Sequence, residues 1–290
     1  MKLRLVIPKG SLQAATVDIF KKAGFNIIIK QRSYSPYIDD PDISVGLLRA
    51  QDIPRFVEQR VFDCGITGND WIRENNSKVI KVADLVYAKQ TLRPVRWVLA
   101  VPGSSNIKRL NDLKGKKVAT ELVNVTRAYL KKNKVKAKVE FSWGATEAKV
   151  GSGLIDAIVE LTETGRSLKE QNLRIIDTIY QSSTQLIANK LSWKDKKIKK
   201  KIENIALLLK GAVSAEGKVG IKMNVSSKSL NKVLSLLPAM KNPTVSMLSQ
   251  PDWFDVDTII DESTAKTLIP ELKDSGAQGI VEYPLNKVIC

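Results

Sequence analysis

The segment Trp143–Leu168, WGATEAKVGSGLIDAIVELTETGRSL, is the most informative part of the chain. Its centre, Leu154–Val159, is a short apolar run with β-branched residues, a pattern typical of a strand buried in an α/β sheet. Two acidic residues, Glu160 and Glu163, lead into the turn Thr164–Ser167, and a helix is predicted from Leu168. The segment therefore predicts a strand, a turn and a helix in this order.

The turn Thr164–Ser167 includes Gly165 and Arg166. At a helix start it would present free backbone N–H groups and the positive end of the helix dipole, which favour a phosphate. The carboxylates before it can accept hydrogen bonds from sugar hydroxyls or hold a metal, so the pattern suits a phosphorylated ribose. The alternative is an ordinary connection in which Thr164 or Ser167 only caps the helix.

Length and composition indicate a globular protein with two or three domains. The chain has 290 residues, of which 43% are hydrophobic and 27% charged. No apolar run approaches the ~20 residues that span a bilayer, and the run Leu3–Ile7 ends at Pro8-Lys9-Gly10, which is too short for a secretory signal. Two cysteines, Cys64 and Cys290, build no disulfide framework, so a reducing cytoplasm is expected.

The sequence contains no histidine. Histidine-based triads, general bases and metal ligands are therefore excluded. Any metal would be held by carboxylates and substrate oxygens, which points to Mg²⁺ rather than zinc.

The net charge of +17 is unevenly distributed. Residues 211–290 hold 8 Lys, no Arg and 9 Asp+Glu, a net of −1, so residues 1–210 carry +18. This asymmetry places a domain boundary near Gly211 and suggests that the basic part binds polyphosphates or nucleic acid. Its lysine runs, Lys131–Lys138 and Lys194–Lys201, are not interleaved with aromatic residues for base stacking, which disfavours nucleic acid.

Residues 1–92 predict one α/β lobe. A strand at Leu3–Ile7 is followed by a glycine-containing turn and a helix that Gly24 ends, a unit that places ligands at the carboxyl end of a parallel sheet. Lys9 lies at that edge, and Arg32 and Arg49 follow further predicted strands, where guanidinium groups can grip phosphates. The alternatives are a surface lysine and surface ion pairs with Asp39, Asp40 or Asp52.

A second α/β lobe is predicted from Val95. A strand is followed by Pro102–Ser105 and a helix that ends at Gly115, and further strands and a helix continue to Tyr180. The segment Ser183–Asn189 predicts a strand that returns to the first lobe, and a basic helix is expected over Lys194–Lys210. Lobe I thus comprises 1–92 and 182–210, lobe II comprises 93–181, and a cleft separates them.

Residues 211–290 predict the order βαββαβ, which is a ferredoxin-like sandwich. The predicted helices are capped by Ser226-Ser227 and by Ser263. This part has no sharp motif, so a scaffold for oligomerisation remains an alternative to an effector-binding role.

Several motifs together resemble the ATP phosphoribosyltransferase family. Around the turn, Glu147, Gly153, Asp156, Thr164, Gly165 and Leu168 fall in register with its phosphoribosyl-pyrophosphate (PRPP) loop, whereas Ile155, Glu160 and Ser167 depart from it. The other matching motifs, in order, are Lys9–Gln13, Arg32–Tyr34, Asp39–Pro41, Leu47–Arg49, Gly65–Trp71 and Glu121–Arg127.

The resemblance implies a bilobed catalytic part like that of periplasmic binding proteins, followed by a regulatory ferredoxin-like (ACT-like) domain. The implied reaction joins N1 of ATP to C1 of PRPP, releases pyrophosphate, requires Mg²⁺ and opens histidine biosynthesis. No dedicated protein ligands for Mg²⁺ are assigned, since substrate phosphates would mainly hold it. The resemblance also implies feedback inhibition by L-histidine and a homohexamer, with a dimer as the alternative.

The residue assignments follow from the same resemblance. The PRPP-binding residues would be Glu160, Glu163, Thr164, Gly165, Arg166 and Ser167. Those that bind ATP or pyrophosphate would be Lys9, Arg32, Arg49, Asp70, Glu121, Asn124, Thr126 and Glu147. Candidates for an effector site are Thr244, Ser246 and Leu248.

Other classes of protein remain open at this point. A solute-binding protein would share the bilobed architecture, but the absence of a signal segment, the basic cleft and the second folded domain disfavour it. A nucleic-acid-binding regulator is favoured only by charge. Another phosphoribosyltransferase would differ only in its acceptor base.

Overall fold

In the computed structural model the chain divides into two units, residues 1–210 and 211–290. The structure describes residues 2–30, 34–88, 93–144, 149–150, 153–238 and 242–289. Arg32 and Glu147, both assigned above to substrate binding, lie outside the described residues. Within the described residues, no helix combines the length and apolar character that crossing a membrane requires.

Unit 1 is built on two five-stranded sheets. Its strands are β1 Leu3–Lys9, β2 Ile27–Ile28, β3 Tyr37–Ile38, β4 Ile43–Arg49, β5 Cys64–Gly68, β6 Ile80–Leu85, β7 Val95–Pro102, β8 Lys117–Thr120, β9 Lys138–Phe141, β10 Ala157–Thr162, β11 Leu173–Ser182 and β12 Thr184–Ala188. Its helices are α1 Gln13–Ala23, α2 Ile53–Glu58, α3 Asn69–Glu74, α4 Val123–Lys132, α5 Arg166–Glu170 and α6 Lys196–Ala215, of which α6 continues past the boundary between the units in sequence.

The first sheet has the order β4-β1-β5-β12-β6, and the second has the order β11-β7-β10-β8-β9. β1 pairs in parallel with β4 and β5, and β8 pairs in parallel with β9 and β10. The chain completes most of the first sheet, builds the second, and returns with β12 between β5 and β6. The bilobed α/β class and the predicted return of Ser183–Asn189 are therefore confirmed.

The central strands of both lobes are buried on two faces, which explains their continuous apolar runs. β7 is the clearest case, because Trp97–Val101 is buried throughout. Alternate β7 side chains contribute to two separate core clusters, with Leu99 in one and Val98 in the other. The rigid sheets thus hold the strand ends from which the cleft is built.

The strand before the glycine turn begins later than predicted. β10 runs over Ala157–Thr162 instead of Leu154–Val159, so Glu160 lies within the strand. Leu154 is 69% exposed, and the Asp156 carboxylate is engaged by the backbone N–H of Lys117 at 2.8 Å. The helix after the turn, in contrast, starts earlier than predicted, at Arg166 and not at Leu168.

Other predicted elements were wrong in extent or kind. The helix predicted between Ser105 and Gly115 is only a short 3-10 turn at Leu110–Leu113. The strand predicted before Arg32 is reduced to β2, which pairs with β3 outside the large sheets. β6 was not predicted, and the basic helix extends to Ala215 instead of ending at Lys210.

Unit 2 contains β13 Lys218–Ser226, α7 Ser227–Leu236, β14 Thr244–Met247, β15 Trp253–Asp261, α8 Glu262–Asp274 and β16 Ala277–Pro284. The antiparallel sheet has the order β14-β15-β13-β16, which confirms the ferredoxin-like class. α8 begins two residues earlier than predicted, with Asp261 at the cap position instead of Ser263. α7 starts at Ser227, with Ser226 at the cap position.

Asp63, just before β5, anchors the first sheet from inside. Its buried carboxylate accepts hydrogen bonds from the Arg4 guanidinium at 2.8 Å and from Ser192 Oγ at 2.7 Å. Burial alone would raise the pKa of Asp63, but the hydrogen bonds from Arg4 and Ser192 outweigh it and hold the pKa below its usual range. Asp63 thus joins β1 to the segment that follows β12.

We expect Asp63→Asn to lower the free energy of unfolding of unit 1 by about 2–4 kcal/mol, because it removes the buried carboxylate of an ion pair whose guanidinium is only partly exposed. A lowered pKa in the folded state stabilises the fold above the unfolded pKa of about 3.9 and is lost as pH falls through the folded value. The difference in melting temperature between wild type and variant should therefore shrink as pH decreases below about 4. A difference that stays constant with pH would contradict this role. Asp18→Asn, which removes a surface carboxylate on α1, is the matched control.

Candidate active site

The cleft of unit 1 is formed by the carboxyl ends of parallel strands from both lobes. In the first lobe Lys9 and Arg49 are register partners at the ends of β1 and β4. In the second lobe Val159 of β10 pairs with Thr120, the last residue of β8. Glu160, inside β10, therefore lies next to Glu121, which follows β8. Two cations thus converge on one side of the cleft and two carboxylates on the other.

These four side chains line one cavity of about 730 Å³. Lys9 Nζ lies 4.1 Å from the centroid of the Tyr34 ring, a cation–π contact that holds the ammonium group at the cavity wall. The other lining residues are Pro8, Gly10, Ser11, Leu12, Leu48, Ala50, Gln51, Asp52, Trp71, Trp97 and Leu161.

The turn Thr164–Ser167 follows β10 at the same end of lobe II. Gly165 has φ of +82°, a left-handed conformation that glycine adopts without a Cβ penalty. Its N–H donates to Thr162 Oγ1 at 2.8 Å, so the buried Thr162 shapes the turn. Thr164, Arg166 and Ser167 are exposed, and the Arg166 guanidinium donates to Glu170 at 2.7 Å.

Thr162 was not among the site residues predicted from the sequence. Its hydroxyl accepts a hydrogen bond from the residue three positions later, a local pattern of serine and threonine turns that the sequence does signal. Glu163 lies partly buried beside the turn and lines a smaller cavity of about 110 Å³ together with Ser11 and Asp70.

Asp70 lies beneath the cleft and is only 3% exposed. Trp97 Nε1 donates to its Oδ2 at 2.6 Å, and the Trp71 N–H donates to its Oδ1 at 2.9 Å. The Asp70 N–H in turn donates to Ser182 Oγ at 3.0 Å. Burial raises the pKa of Asp70, although the hydrogen bonds from Trp97 and Ser182 oppose the shift. Asp70 therefore ties the first lobe to both connections between the lobes.

Glu74 bridges the lobes on the other side of the cleft. Its two carboxylate oxygens accept the N–H groups of Asn124 at 2.9 Å and Val125 at 3.0 Å, so a first-lobe side chain caps α4 of the second lobe. The Asn124 amide donates to the Glu74 carbonyl at 2.9 Å. No sequence signal pairs residues 50 positions apart, and this contact was not predicted.

The remaining predicted residues, Thr126, Glu121 and Asn124, differ in whether they line a cavity. Thr126 is 2% exposed, and among the described residues its Oγ1 has no hydrogen-bond partner. It is not among the residues that line the cavities of about 730 and 610 Å³. Glu121 and Asn124 both line the second of these, which adjoins the first.

In unit 2, Thr244 and Ser246 lie on the exposed edge strand β14, in register with Asp257 and Asp255 of β15. Asp255 pairs with Lys222 at 3.0 Å, yet its Oδ1 is buried and lacks a hydrogen-bond partner within the described residues. Asp257 accepts a hydrogen bond from Tyr283 Oη at 2.9 Å. Leu248 follows β14, and its N–H donates to the Trp253 carbonyl at 2.9 Å.

Comparisons with known proteins agree with these features over the whole chain. A family model described as ATP phosphoribosyltransferase matches residues 49–211, and one described as HisG, C-terminal domain, matches residues 215–287. The ATP phosphoribosyltransferase of Solibacter usitatus is 56% identical over 289 residues, covering 100% of both chains. That of Thermodesulfovibrio yellowstonii is 56% identical over 287 residues, covering 99% of this chain and 98% of its own.

Among solved structures, a chain of the ATP phosphoribosyl transferase (HisG:HisZ) complex from Thermotoga maritima matches with a TM-score of 0.60 and 30% identity. The match covers 71% of this chain and 98% of that one. These matches identify the chain as a transferase of phosphoribosyl groups, and its bilobed α/β body with a charged cavity is compatible with that class. The chain belongs to the ATP phosphoribosyltransferase family, in its long form, and to histidine biosynthesis.

We expect Glu74→Ala to weaken the closure of the cleft, since it removes the acceptor for two α4 N–H groups. Loss of a helix cap costs about 0.5–2 kcal/mol, and here the cap also joins the lobes. The variant should melt at a lower temperature and show a larger radius of gyration in small-angle scattering. Glu58→Ala is the matched control, because Glu58 accepts the Lys78 N–H within the first lobe alone. Equal scattering profiles for Glu74→Ala and wild type would contradict a closing role.

Proposed function

We propose that the cleft of unit 1 binds PRPP and ATP together and holds C1 of the ribose against N1 of the adenine ring. The observation that carries this proposal is the convergence of Lys9 and Arg49, from one lobe, on Glu160 and Glu121, from the other, across a single cavity. Two cations can hold polyphosphate while facing carboxylates accept hydroxyl or amino hydrogens. The family match supports both substrates.

PRPP would bind with its 5-phosphate in the turn Thr164–Ser167. The left-handed Gly165 and the exposed hydroxyls of Thr164 and Ser167 support this placement, since successive N–H groups around a left-handed residue form an anion-binding concavity. Glu160 would accept the ribose hydroxyls, with Glu163 as a second acceptor. Arg166, which pairs with Glu170, would contribute its backbone N–H rather than its guanidinium.

Lys9 and Arg49, together with Arg32, would hold the pyrophosphate of PRPP or the phosphates of ATP. As the bond from C1 to pyrophosphate breaks, positive charge grows on the ribose and negative charge on the leaving group. The protein's contribution is then to position two polyanions and to stabilise the leaving charge with fixed cations. No side-chain nucleophile is required, which fits a chain without histidine.

Mg²⁺ would enter bound to substrate phosphates. Among the described residues no three acidic or cysteine side chains cluster closely enough to hold a metal, and Mg²⁺ commonly binds through substrate phosphates with one or two carboxylates. When bound, it would neutralise part of the pyrophosphate charge. We assign it no dedicated protein ligands.

Asp70 and Thr126 would position the site without contacting substrates, since both are buried. Asp70 would orient Trp71 and Trp97, which line the main cavity. Asn124, and Glu147 by family position, would line the cleft from the second lobe.

Unit 2 would bind L-histidine as a feedback inhibitor and contribute to a homohexamer, with a dimer as the alternative. Thr244 and Ser246, with Leu248 at the end of the strand, would provide polar and apolar contacts. Asp255 Oδ1, which has no hydrogen-bond partner among the described residues, lies beside Ser246 and suits an ammonium group. Because the chain carries this unit itself, no separate regulatory subunit would be needed, and its substrates would place it in the cytoplasm.

We expect Gly165→Val to weaken PRPP binding by about 100-fold or more. A Cβ there would meet only Ile175 Cδ1, at 3.5 Å, so the disruption comes from the left-handed backbone, which a β-branched residue disfavours, and not from crowding. PRPP affinity is to be measured by isothermal titration calorimetry.

Gly115→Val is the matched control, because Gly115 also has positive φ, +77°, with nothing within 4 Å of its Cβ position. It should lose comparable stability and retain PRPP affinity. Normal PRPP affinity in Gly165→Val would remove the turn from the binding site.

The proposed function is tested by a steady-state assay with ATP, PRPP, Mg²⁺ and pyrophosphatase that follows the ultraviolet absorbance of the phosphoribosylated nucleotide. We expect turnover in this assay. Chelation of Mg²⁺ should abolish it, and L-histidine should inhibit it. Asp255→Asn should raise the histidine concentration for half inhibition by about tenfold while leaving histidine-free turnover unchanged, since charged hydrogen bonds contribute about 1.5–3 kcal/mol.

Asp274→Asn, an exposed change on α8 of the same unit, is the control. Turnover that histidine does not inhibit would support the enzymatic function and would indicate that unit 2 is only a scaffold. Folded protein without turnover would contradict the proposal, and turnover only with another base would identify a different phosphoribosyltransferase.

A further inference from the structure

The chain returns from lobe II to lobe I at Ser183. β11 ends at Ser182, which pairs with Val95 of β7, and β12 begins at Thr184, which pairs with Gly68 of β5. Hinges between rigid bodies are commonly a few residues at the ends of their elements. A change in the angle between the lobes is therefore absorbed at Ser183 and in the connection between β6 and β7.

The first turn of α3, in lobe I, is bonded to this crossing. The Asn69 N–H donates to the Ser183 carbonyl at 3.0 Å, and the Asp70 N–H donates to Ser182 Oγ at 3.0 Å. The N–H groups of a first helical turn have no partner within the helix, so they need acceptors from outside it. Here the acceptors belong to the segment that joins the lobes.

Asn69 also connects the two lobes through its side chain. Its Nδ2 donates to Tyr180 Oη on β11 at 2.8 Å, and its Oδ1 accepts a hydrogen bond from Lys81 Nζ on β6 at 2.5 Å. Because the nitrogen and the oxygen of the amide are both engaged, the orientation of the side chain is fixed. Asn69 is thus bonded to lobe I, to lobe II and to the crossing between them.

Tyr180 is held by α3 at its ring as well as at its hydroxyl. The Arg73 guanidinium, one helical turn after Asn69, lies 5.3 Å from the centroid of the Tyr180 ring. The register partner of Tyr180 on β7 is Trp97, which meets Trp71 of α3 edge to face. One short helix therefore carries Trp71 in the cavity wall and holds Tyr180 of the other lobe.

We propose that Asn69 and Tyr180 are positioning residues for the reaction. Their hydrogen bond sets the angle between the lobes, and with it the separation of the lobe I cations from the lobe II carboxylates. Neither residue is among the described residues that line the cavities of about 730 and 610 Å³, so both would act without contacting substrate.

This inference rests on the proposed function, because it concerns the geometry in which PRPP and ATP would react. The reacting atoms must be held close together and aligned, and a displacement of about 1 Å caused by a distant mutation can lower the rate about 100-fold. Asn69 and Tyr180 are both only half-buried, so replacing them should affect the rate more than the stability of the fold.

The positioning role is tested on the chemical step in the full chain. A single-turnover reaction, with enzyme in excess over PRPP and with saturating ATP, separates this step from product release. Asn69→Ala and Tyr180→Phe should each lower its rate constant about tenfold and change the KM values for ATP and PRPP by less than about threefold, because the groups that contact substrate are retained. The double variant should be no slower than the single ones, since all three lack the same hydrogen bond.

Two further replacements of Asn69 separate the hydrogen bond from the shape of the side chain. In Asn69→Asp the carboxylate can accept hydrogen bonds from both Tyr180 Oη and Lys81 Nζ, so most of the single-turnover rate should be retained. Asn69→Leu has a similar size but no polar atom, and it should be as slow as Asn69→Ala. Tyr129→Phe is the matched control for Tyr180→Phe, because the Tyr129 hydroxyl donates to Asp177 at 2.5 Å within lobe II.

Wild-type rates in Asn69→Ala and Tyr180→Phe, or a full rate in Asn69→Leu, would overturn the inference and leave the proposed function standing. Equal slowing by Tyr129→Phe would also overturn it, because that change does not reach lobe I. Melting temperatures establish that each variant is folded in the assay, and Tyr180→Phe, which removes a single oxygen atom, decides the test if Asn69→Ala unfolds. Wild-type protein without turnover would contradict the proposed function and, with it, this role of Asn69.

Discussion

The cleft depends on parallel strand pairing in a fixed register. Pairing of β1 with β4 places Lys9 directly beside Arg49, and pairing of β8 with β10 brings Glu121 and Glu160 to one edge. A slip of one residue would turn each of these side chains to the other face of its sheet. The buried apolar faces of the strands prevent such a slip, because it would expose the core. The packing of the two lobes therefore fixes the charge pattern of the site.

The two lobes meet through polar contacts whose acceptors are carboxylates. Asp70 receives the indole N–H of Trp97, and Glu74 caps α4 from across the cleft. Trp71 and Trp97 meet edge to face at 5.8 Å between their centroids, beneath the cavity. The junction between the lobes therefore combines carboxylate hydrogen bonds with one apolar contact between two tryptophan rings.

The sequence predicted the architecture because its strands are long apolar runs, and the motif residues Lys9, Arg49 and Gly165 stand at strand ends that pattern alone locates. The errors arose where local pattern and tertiary context disagree. The segment before Gly115 has the composition of a helix, but only Leu110–Leu113 forms a helical turn, and it is of the 3-10 type. β10 starts late because Asp156 binds the Lys117 backbone, a partner distant in sequence. Glu74 and Asp255 were missed for the same reason, since their roles depend on neighbours that only folding supplies.

The position of β12 has a consequence for how the protein is made. β12 lies between β5 and β6, and β6 pairs with no other strand among the described residues. The ribosome therefore releases nearly all of the first lobe while its sheet still lacks a central strand. The strands of lobe II, in contrast, lie contiguously in sequence from β7 to β11. The nascent first lobe must therefore keep an open sheet edge from aggregating until residues 184–188 emerge.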